Sequence, residues 1–186
     1  ASSGRLLVEG NYQFGHHQQR TVTKPVVATS VAPKTIGMPK ILVTGASGGL
    51  GGALCAALAG QAQGVSRTES GDWLTVQDLS IIDEHCFNEP LASIVHCAWP
   101  QPDTDGILDH PNSSVRLDYH LTEPIRHCLS LARLLRKHGQ PGAMLLLVGS
   151  AFARPGRHAW RMPLYSLAKG LIPDLVQILA LELAKT

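Results

Sequence analysis

From Lys40 onward, short apolar runs alternate with longer stretches whose apolar residues recur every three or four positions. The runs Ile41–Val43, Trp73–Val76, Ser93–Ala98 and Met144–Val148 are each bounded by turn-forming residues. Short runs of this kind suit strands buried on both faces of a sheet. Between them, Gly49–Ala59 is rich in Ala and Leu, and Ser114–Lys137 sets Leu117, Leu121, Ile125, Cys128 and Leu131 along one helical face. Tyr165–Ala184 does the same with Leu167, Leu171, Leu175, Leu179 and Leu183, accompanied by Ile172 and Ile178. Alternation of strand and helix predicts an α/β domain: a doubly wound parallel sheet with helices on both faces and right-handed crossovers.

Residues 1–39 break this pattern. Arg5–Phe14 (RLLVEGNYQF) predicts one strand, and the polar stretch Gly15–Pro39, with its Pro and Thr residues, reads as a linker. A lone strand does not hold itself together, so this segment pairs with a sheet elsewhere or ends an upstream domain. Gly4–Gly10 (GRLLVEG) resembles the last strand of a hot-dog-fold dehydratase of the MaoC type. An ordinary N-terminal extension is the alternative. The expected organisation is an extension over 1–39 and one domain over 40–186.

Composition narrows the function. The chain has 186 residues and is 44% hydrophobic, which suffices for one full core. Its net charge is +2 and no basic stripe is interleaved with aromatics, so nucleic acid is not an expected partner. The longest unbroken apolar runs, such as Ala143–Val148, are far too short to span a bilayer, and the first residues do not form a signal peptide. A cytoplasmic protein that does not bind membranes is the expectation. Cys55, Cys86, Cys97 and Cys128 form no Cys-x-x-Cys pair and sit in apolar stretches, as buried reduced thiols do. Of the nine histidines, His16 and His17 are adjacent in the polar tail and the rest lack ligand spacing, so no metal site is expected.

Lys40–Gly51 reads KILVTGASGGLG: an apolar strand, a glycine-rich turn, then an Ala-rich helix. Glycines let the backbone turn sharply and approach a pyrophosphate, and the helix that follows offers free N–H groups and its positive dipole end. This is the context of a Rossmann-type dinucleotide site. The spacing Thr44-Gly45-x-x-x-Gly49-x-Gly51 resembles that of the short-chain dehydrogenase/reductase family. The resemblance implies a cofactor cradle of Thr44, Gly45, Ser47, Gly48, Gly49, Leu50 and Gly51. It also matches Asp78, followed by Leu79, to the acidic residue at the adenine ring. An N-cap is a second role open to Asp78, since Ser80 and Ile81 begin a helix. Where the family carries Asn-Asn-Ala-Gly after its fourth strand, this chain has His96-Cys97-Ala98-Trp99. Cys97 and Ala98 therefore fall at cofactor positions, and bulky Trp99 falls in the cofactor's path. The second strand ends in Ser66-Arg67 with no acid to bind a ribose 2′-hydroxyl, and Arg67 can neutralise a 2′-phosphate. NADP(H) is the expected cofactor, with a solvated surface arginine as the alternative for Arg67.

Pro163–Gly170 (PLYSLAKG) places Tyr165 and Lys169 four apart, on one helical face. An ammonium beside a tyrosine favours the phenolate, which moves an ordinary pKa near 10 toward neutrality. Ser150 follows the strand that ends at Val148, and a hydroxyl at the carboxyl end of a parallel strand points into a ligand crevice. There it can bond a substrate oxygen as negative charge grows. The resemblance assigns catalysis to Ser150, Tyr165 and Lys169. It aligns His120, in Leu117–Pro124 (LDYHLTEP), with an Asn that holds a relay water. A histidine can carry protons too; a helix-face histidine packed at a subunit contact is the other reading.

The resemblance runs over about Lys40–Ala184 and implies that two further strands and a substrate loop would follow, so the C-terminal strands are expected to be missing here. It implies NADPH-dependent reduction of a ketone, or the reverse. The favoured substrate is a small-molecule or acyl-carrier-bound carbonyl, in particular a β-ketoacyl thioester of fatty acid or polyketide-type biosynthesis. It also implies a homodimer or homotetramer built on Ser114–Lys137 and Tyr165–Ala184. The altered His96–Trp99 segment and His120 open a second reading from another class: a cofactor-binding protein of impaired catalysis, acting as a sensor or structural partner.

Overall fold

The computed structural model describes residues 40–69, 73–82, 90–102, 104, 106–107, 113–151 and 162–185. The expected strand at Arg5–Phe14, the linker after it, His16, His17 and Cys86 lie outside the described residues.

The elements run β1 (Lys40–Thr44), α1 (Gly49–Ala57), β2 (Ala62–Ser66), β3 (Leu74–Thr75) and β4 (Leu91–His96), then α2 (Ser113–Leu117), α3 (Glu123–His138), β5 (Gly139–Leu147), α4 (Pro163–Gly170) and α5 (Ile172–Leu183). The strands form one sheet in the order β3-β2-β1-β4-β5, and every neighbouring pair is parallel. The chain works outward from β1 to β3 and then returns to β4 on β1's other side. At such a reversal, the connections leave β1 and β4 in opposite directions and open a crevice at the strands' carboxyl ends.

The core sits beneath α3. Leu42 and Ile94 are register partners on β1 and β4, and both are fully buried. They cluster with Leu131, Leu134 and Leu135 of α3. Each such leucine contributes about 1.5–3 kcal/mol by leaving water.

Four details depart from the sequence reading. The helix expected over Ser114–Lys137 contains a π turn at Asp118–Thr122, where the Glu123 N–H donates to the Asp118 carbonyl. Pro124 explains it: proline has no N–H for the His120 carbonyl and its ring crowds that oxygen, so the ladder widens by one residue. The extra residue rotates the apolar stripe. Cys128 and Leu131 are fully buried, whereas Leu117 is 37% exposed. The helix expected over Tyr165–Ala184 breaks at Leu171 into α4 and α5. Here Pro173 cannot bond the Lys169 carbonyl, and it sits in the first turn of a restarted helix.

The third departure concerns bilayers. Pro163–Leu183, 21 residues, is long and apolar enough to cross a membrane by length and composition, contrary to the expectation drawn from unbroken apolar runs. Few charges interrupt the leucines: Lys169, Asp174 and Glu182 are the charged residues in the stretch. Ile172 and Leu179 of this stretch are buried in the domain, as in a helix that covers a sheet. Lastly, Cys55, Cys97 and Cys128 are free thiols, but only Cys128 is buried; Cys55, within α1, and Cys97, directly after β4, are half-exposed.

Candidate active site

The glycine-rich turn is fixed by close approach of backbone to backbone. Gly45 has φ +73, and a Cβ there would lie 2.7 Å from the Ala98 nitrogen. The end of β1 therefore lies directly against Cys97–Ala98, and the Cys97 N–H donates to the Thr44 carbonyl at 3.2 Å. A Cβ at Gly51 would run into the Gly45 carbonyl, so the first turn of α1 sits on the loop that precedes it. The Gly48 N–H closes the turn onto the Gly45 oxygen at 2.9 Å. Ser47, Gly48, Gly49 and Leu50 are exposed, and no side chain caps α1. A Cβ at Gly49 would meet nothing within 4 Å. Free N–H groups at the positive end of a nine-residue helix, open to solvent, fit a pyrophosphate.

At the ends of β2 and β3, side chains take over. Ser66 is buried and its hydroxyl accepts the Thr68 N–H at 3.1 Å. Arg67 is exposed, and its carbonyl accepts the Gln77 amide at 3.0 Å. Asp78 accepts the Ser80 N–H at 2.8 Å and caps the short turn Leu79–Ile81, where Leu79 is buried. The Asp78 carboxylate also lies 3.5 Å from His127 Nε2, with Glu123 at 3.7 Å from the same nitrogen. Burial lowers the His127 pKa, against the pull of Glu123 and Asp78, and Arg67 lowers it further. Arg67, Asp78 and His127 thus share one electrostatic neighbourhood. Sequence reasoning missed His127. Its spacing from Glu123 was visible, but its approach to Asp78 comes only from α3 packing against the turn at Leu79–Ile81.

At the end of β4, His96 is 1% exposed, and its Nδ1 lies 2.7 Å from the buried Thr44 Oγ1, a hydrogen bond whose direction follows the imidazole tautomer. Burial lowers the His96 pKa to about 3, with His127 and Lys169 adding to the effect. The ring is neutral at pH 7 and ties β4 to β1.

Lys169 is the electrostatic centre of the other half. It is 3% exposed. Its ammonium donates to the Val148 carbonyl at 2.6 Å and sits 3.8 Å above the Trp99 ring centroid. It lies 5.9 Å from the Tyr165 ring centroid. Burial lowers its pKa to about 8, opposed by the neighbouring thiols of Cys128 and Cys97. Tyr165, one turn earlier on α4, is half-buried, as is Ser150, two residues beyond Val148. His120 lies in the π turn, 4% exposed and edge-on to Tyr119 with centroids 5.0 Å apart, and that turn packs against α4. Lys169, with Tyr165 one turn before it, therefore meets the end of β5 two residues short of Ser150, while Arg67 and Asp78 stand at the β2–β3 side. Trp99 was legible as an obstacle in the sequence; its contact with Lys169 was not.

No family model and no curated protein matches this sequence. Solved structures do match. One is described as a short-chain dehydrogenase/reductase from Burkholderia multivorans with bound NADP; it shares 19% identity and a TM-score of 0.63 over 80% of this chain and 74% of its own. A short-chain dehydrogenase family protein from Francisella tularensis shares 22% identity and a TM-score of 0.61 over 80% of this chain and 65% of its own. The ligand-free aldohexose dehydrogenase of Thermoplasma acidophilum gives 16% and 0.62, over 77% of this chain and 61% of its own. The fold is that of the short-chain dehydrogenases/reductases. This chain spans 61–74% of the length of these three structures. The Gly-rich turn and the Lys169 cluster both lie at carboxyl ends of the parallel strands, the turn after β1 and the cluster after β4 and β5.

Proposed function

We propose that this chain is an NADP(H)-dependent oxidoreductase of the short-chain dehydrogenase/reductase type, reducing a ketone to an alcohol or running the reverse. The observation that carries the reading is the buried ammonium of Lys169, one helical turn from Tyr165 and beside the strand end that leads to Ser150. NADP(H) rather than NAD(H) rests on the exposed Arg67 directly after β2, with no acid at positions 64–67.

A bound nicotinamide supplies or accepts the hydride. The protein's part is the proton and the charge. Tyr165 gives its phenolic proton to the substrate oxygen, and Ser150 donates a hydrogen bond to that oxygen. Lys169 stabilises the phenolate that remains and bonds the ribose hydroxyls. His120, on the turn that packs against α4, returns a proton to Tyr165 through water. The proposed substrate is a β-ketoacyl thioester, free or on an acyl carrier. Residues 40–186 would be the NADP-binding domain and 1–39 an extension, in a cytoplasmic homodimer or homotetramer. The assembly is supported by Ile178 and Leu181, one helical turn apart on α5 and both exposed. The test is nicotinamide absorbance: mixing the protein, NADPH and a β-keto ester should consume NADPH in step with alcohol formed. A protein that binds NADPH and reduces no carbonyl would remove the ketoreductase reading.

That outcome would favour the second reading, a cofactor-binding protein of impaired catalysis. One observation supports it: the Trp99 indole covers the ammonium that turnover would need.

A further inference from the structure

Trp99 follows directly on the residues that pin the Gly-rich turn. Ala98 cannot move without disturbing Gly45, so any freedom begins at Trp99. Pro100 restricts the Trp99 backbone to extended conformations, which leaves side-chain rotation as the available motion. The indole packs against the apolar cluster of Cys128, Ala132 and Leu179 and lays its face 3.8 Å from Lys169 Nζ. No second group fits between an ammonium and a ring face at that distance. With the Val148 carbonyl below and the ring above, Lys169 is 3% exposed. The indole's one polar atom is not anchored in turn. Its Nε1 is buried with no hydrogen-bond partner among the described residues, a state that rotation into water would relieve. The other end of the crevice, at Ser47–Leu50, is open to solvent.

We infer that the Trp99 indole holds the place beside Lys169 that a nicotinamide ribose would take, and that a dinucleotide docks first by its adenine and phosphate half, then displaces the indole. This rests on the dinucleotide reading above. Trp99 is accordingly a gating residue: it makes no contact with the reacting atoms, and it sets how much of the cofactor's binding energy goes into opening the site.

Titration calorimetry on the wild type and Trp99→Gly tests it, with NADPH and with 2′,5′-ADP, which has the adenine and 2′-phosphate but no nicotinamide ribose. NADPH should bind Trp99→Gly roughly tenfold more tightly, the scale of a desolvated cation–π contact that no longer has to be broken. The affinity for 2′,5′-ADP should stay unchanged. An equal gain for both ligands, or none for NADPH, would overturn the gate. If neither ligand binds either protein, the dinucleotide reading itself fails and the gate falls with it. A second measurement needs no destabilised variant. The emission of Trp99, taken as the difference between the wild type and Trp99→Phe, should shift to the red at saturating NADPH and stay put with 2′,5′-ADP. An unmoved emission with NADPH bound would overturn the inference.

Discussion

The two ends of the crevice are built from different materials. At the β1–α1 end, recognition is left to backbone: glycines allow a strand, a turn and a helix to approach one another, and the turn Ser47–Leu50 is exposed. At the β4–β5 end, recognition is left to side chains, and they are already in contact with one another. Lys169 has the Val148 carbonyl and the Trp99 ring, and His96 has Thr44. The first end is ready to receive a ligand, whereas the second must be opened. A backbone site asks only for small residues at fixed spacing. A side-chain site depends on what each residue finds across the fold, and it can be filled from within.

This difference can be broken at either end. The largest effect should come from Gly45→Ala, which sets a Cβ against Ala98 backbone at a positive φ. Left-handed strain and the forced backbone shift together should cost about 2–4 kcal/mol of stability, read by chemical denaturation. A loss below experimental error would show that the turn is not built on close approach.

Lys169→Met tests the other end through pH. The unfolded chain keeps this proton up to about 10.5, while burial makes the folded chain release it near 8. Between those values the unfolded state binds more protons, so stability rises with pH; below about 8 the penalty for burying the charge is fully present. Lys169→Met should remove that rise, which amounts to up to about 3 kcal/mol. Denaturation curves of both proteins across pH 7–11 would show it, and parallel curves would contradict the burial of a charged Lys169.

Arg67→Asp sharpens the comparison from the rim. The substitution removes the cation that would face a 2′-phosphate and supplies a carboxylate that can accept from a ribose hydroxyl. Preference should shift from NADPH toward NADH by about 1–3 kcal/mol, the range of hydrogen bonds to charged groups. Equal binding of the two cofactors by both proteins would place Arg67 in solvent instead.

The same contrast explains what the sequence revealed. Thr44–Gly51 was legible because a backbone site is written in glycine spacing and in the strand and helix on either side. Tyr165 and Lys169 were legible because four residues make one helical turn. The breaks at Pro124 and Pro173 were hidden behind regular leucine spacing, although proline's missing N–H was in plain view. The start of β5 at Gly139 was not legible: Gly139, Gln140, Pro141 and Gly142 have no strand pattern, and the strand is joined to its neighbour through a register slip opposite Leu91–Ser93. The contacts Thr44–His96, Asp78–His127 and Trp99–Lys169 join distant stretches, and only the folded sheet brings them together.

The central claim is that Tyr165 supplies the proton while the cofactor binds independently of it. Tyr165→Phe keeps the ring and its packing and removes one hydroxyl. Turnover of a β-keto ester with NADPH should fall about 100- to 10,000-fold, the usual worth of a general acid, with NADPH affinity unchanged. Turnover near the wild-type rate in Tyr165→Phe would contradict the account.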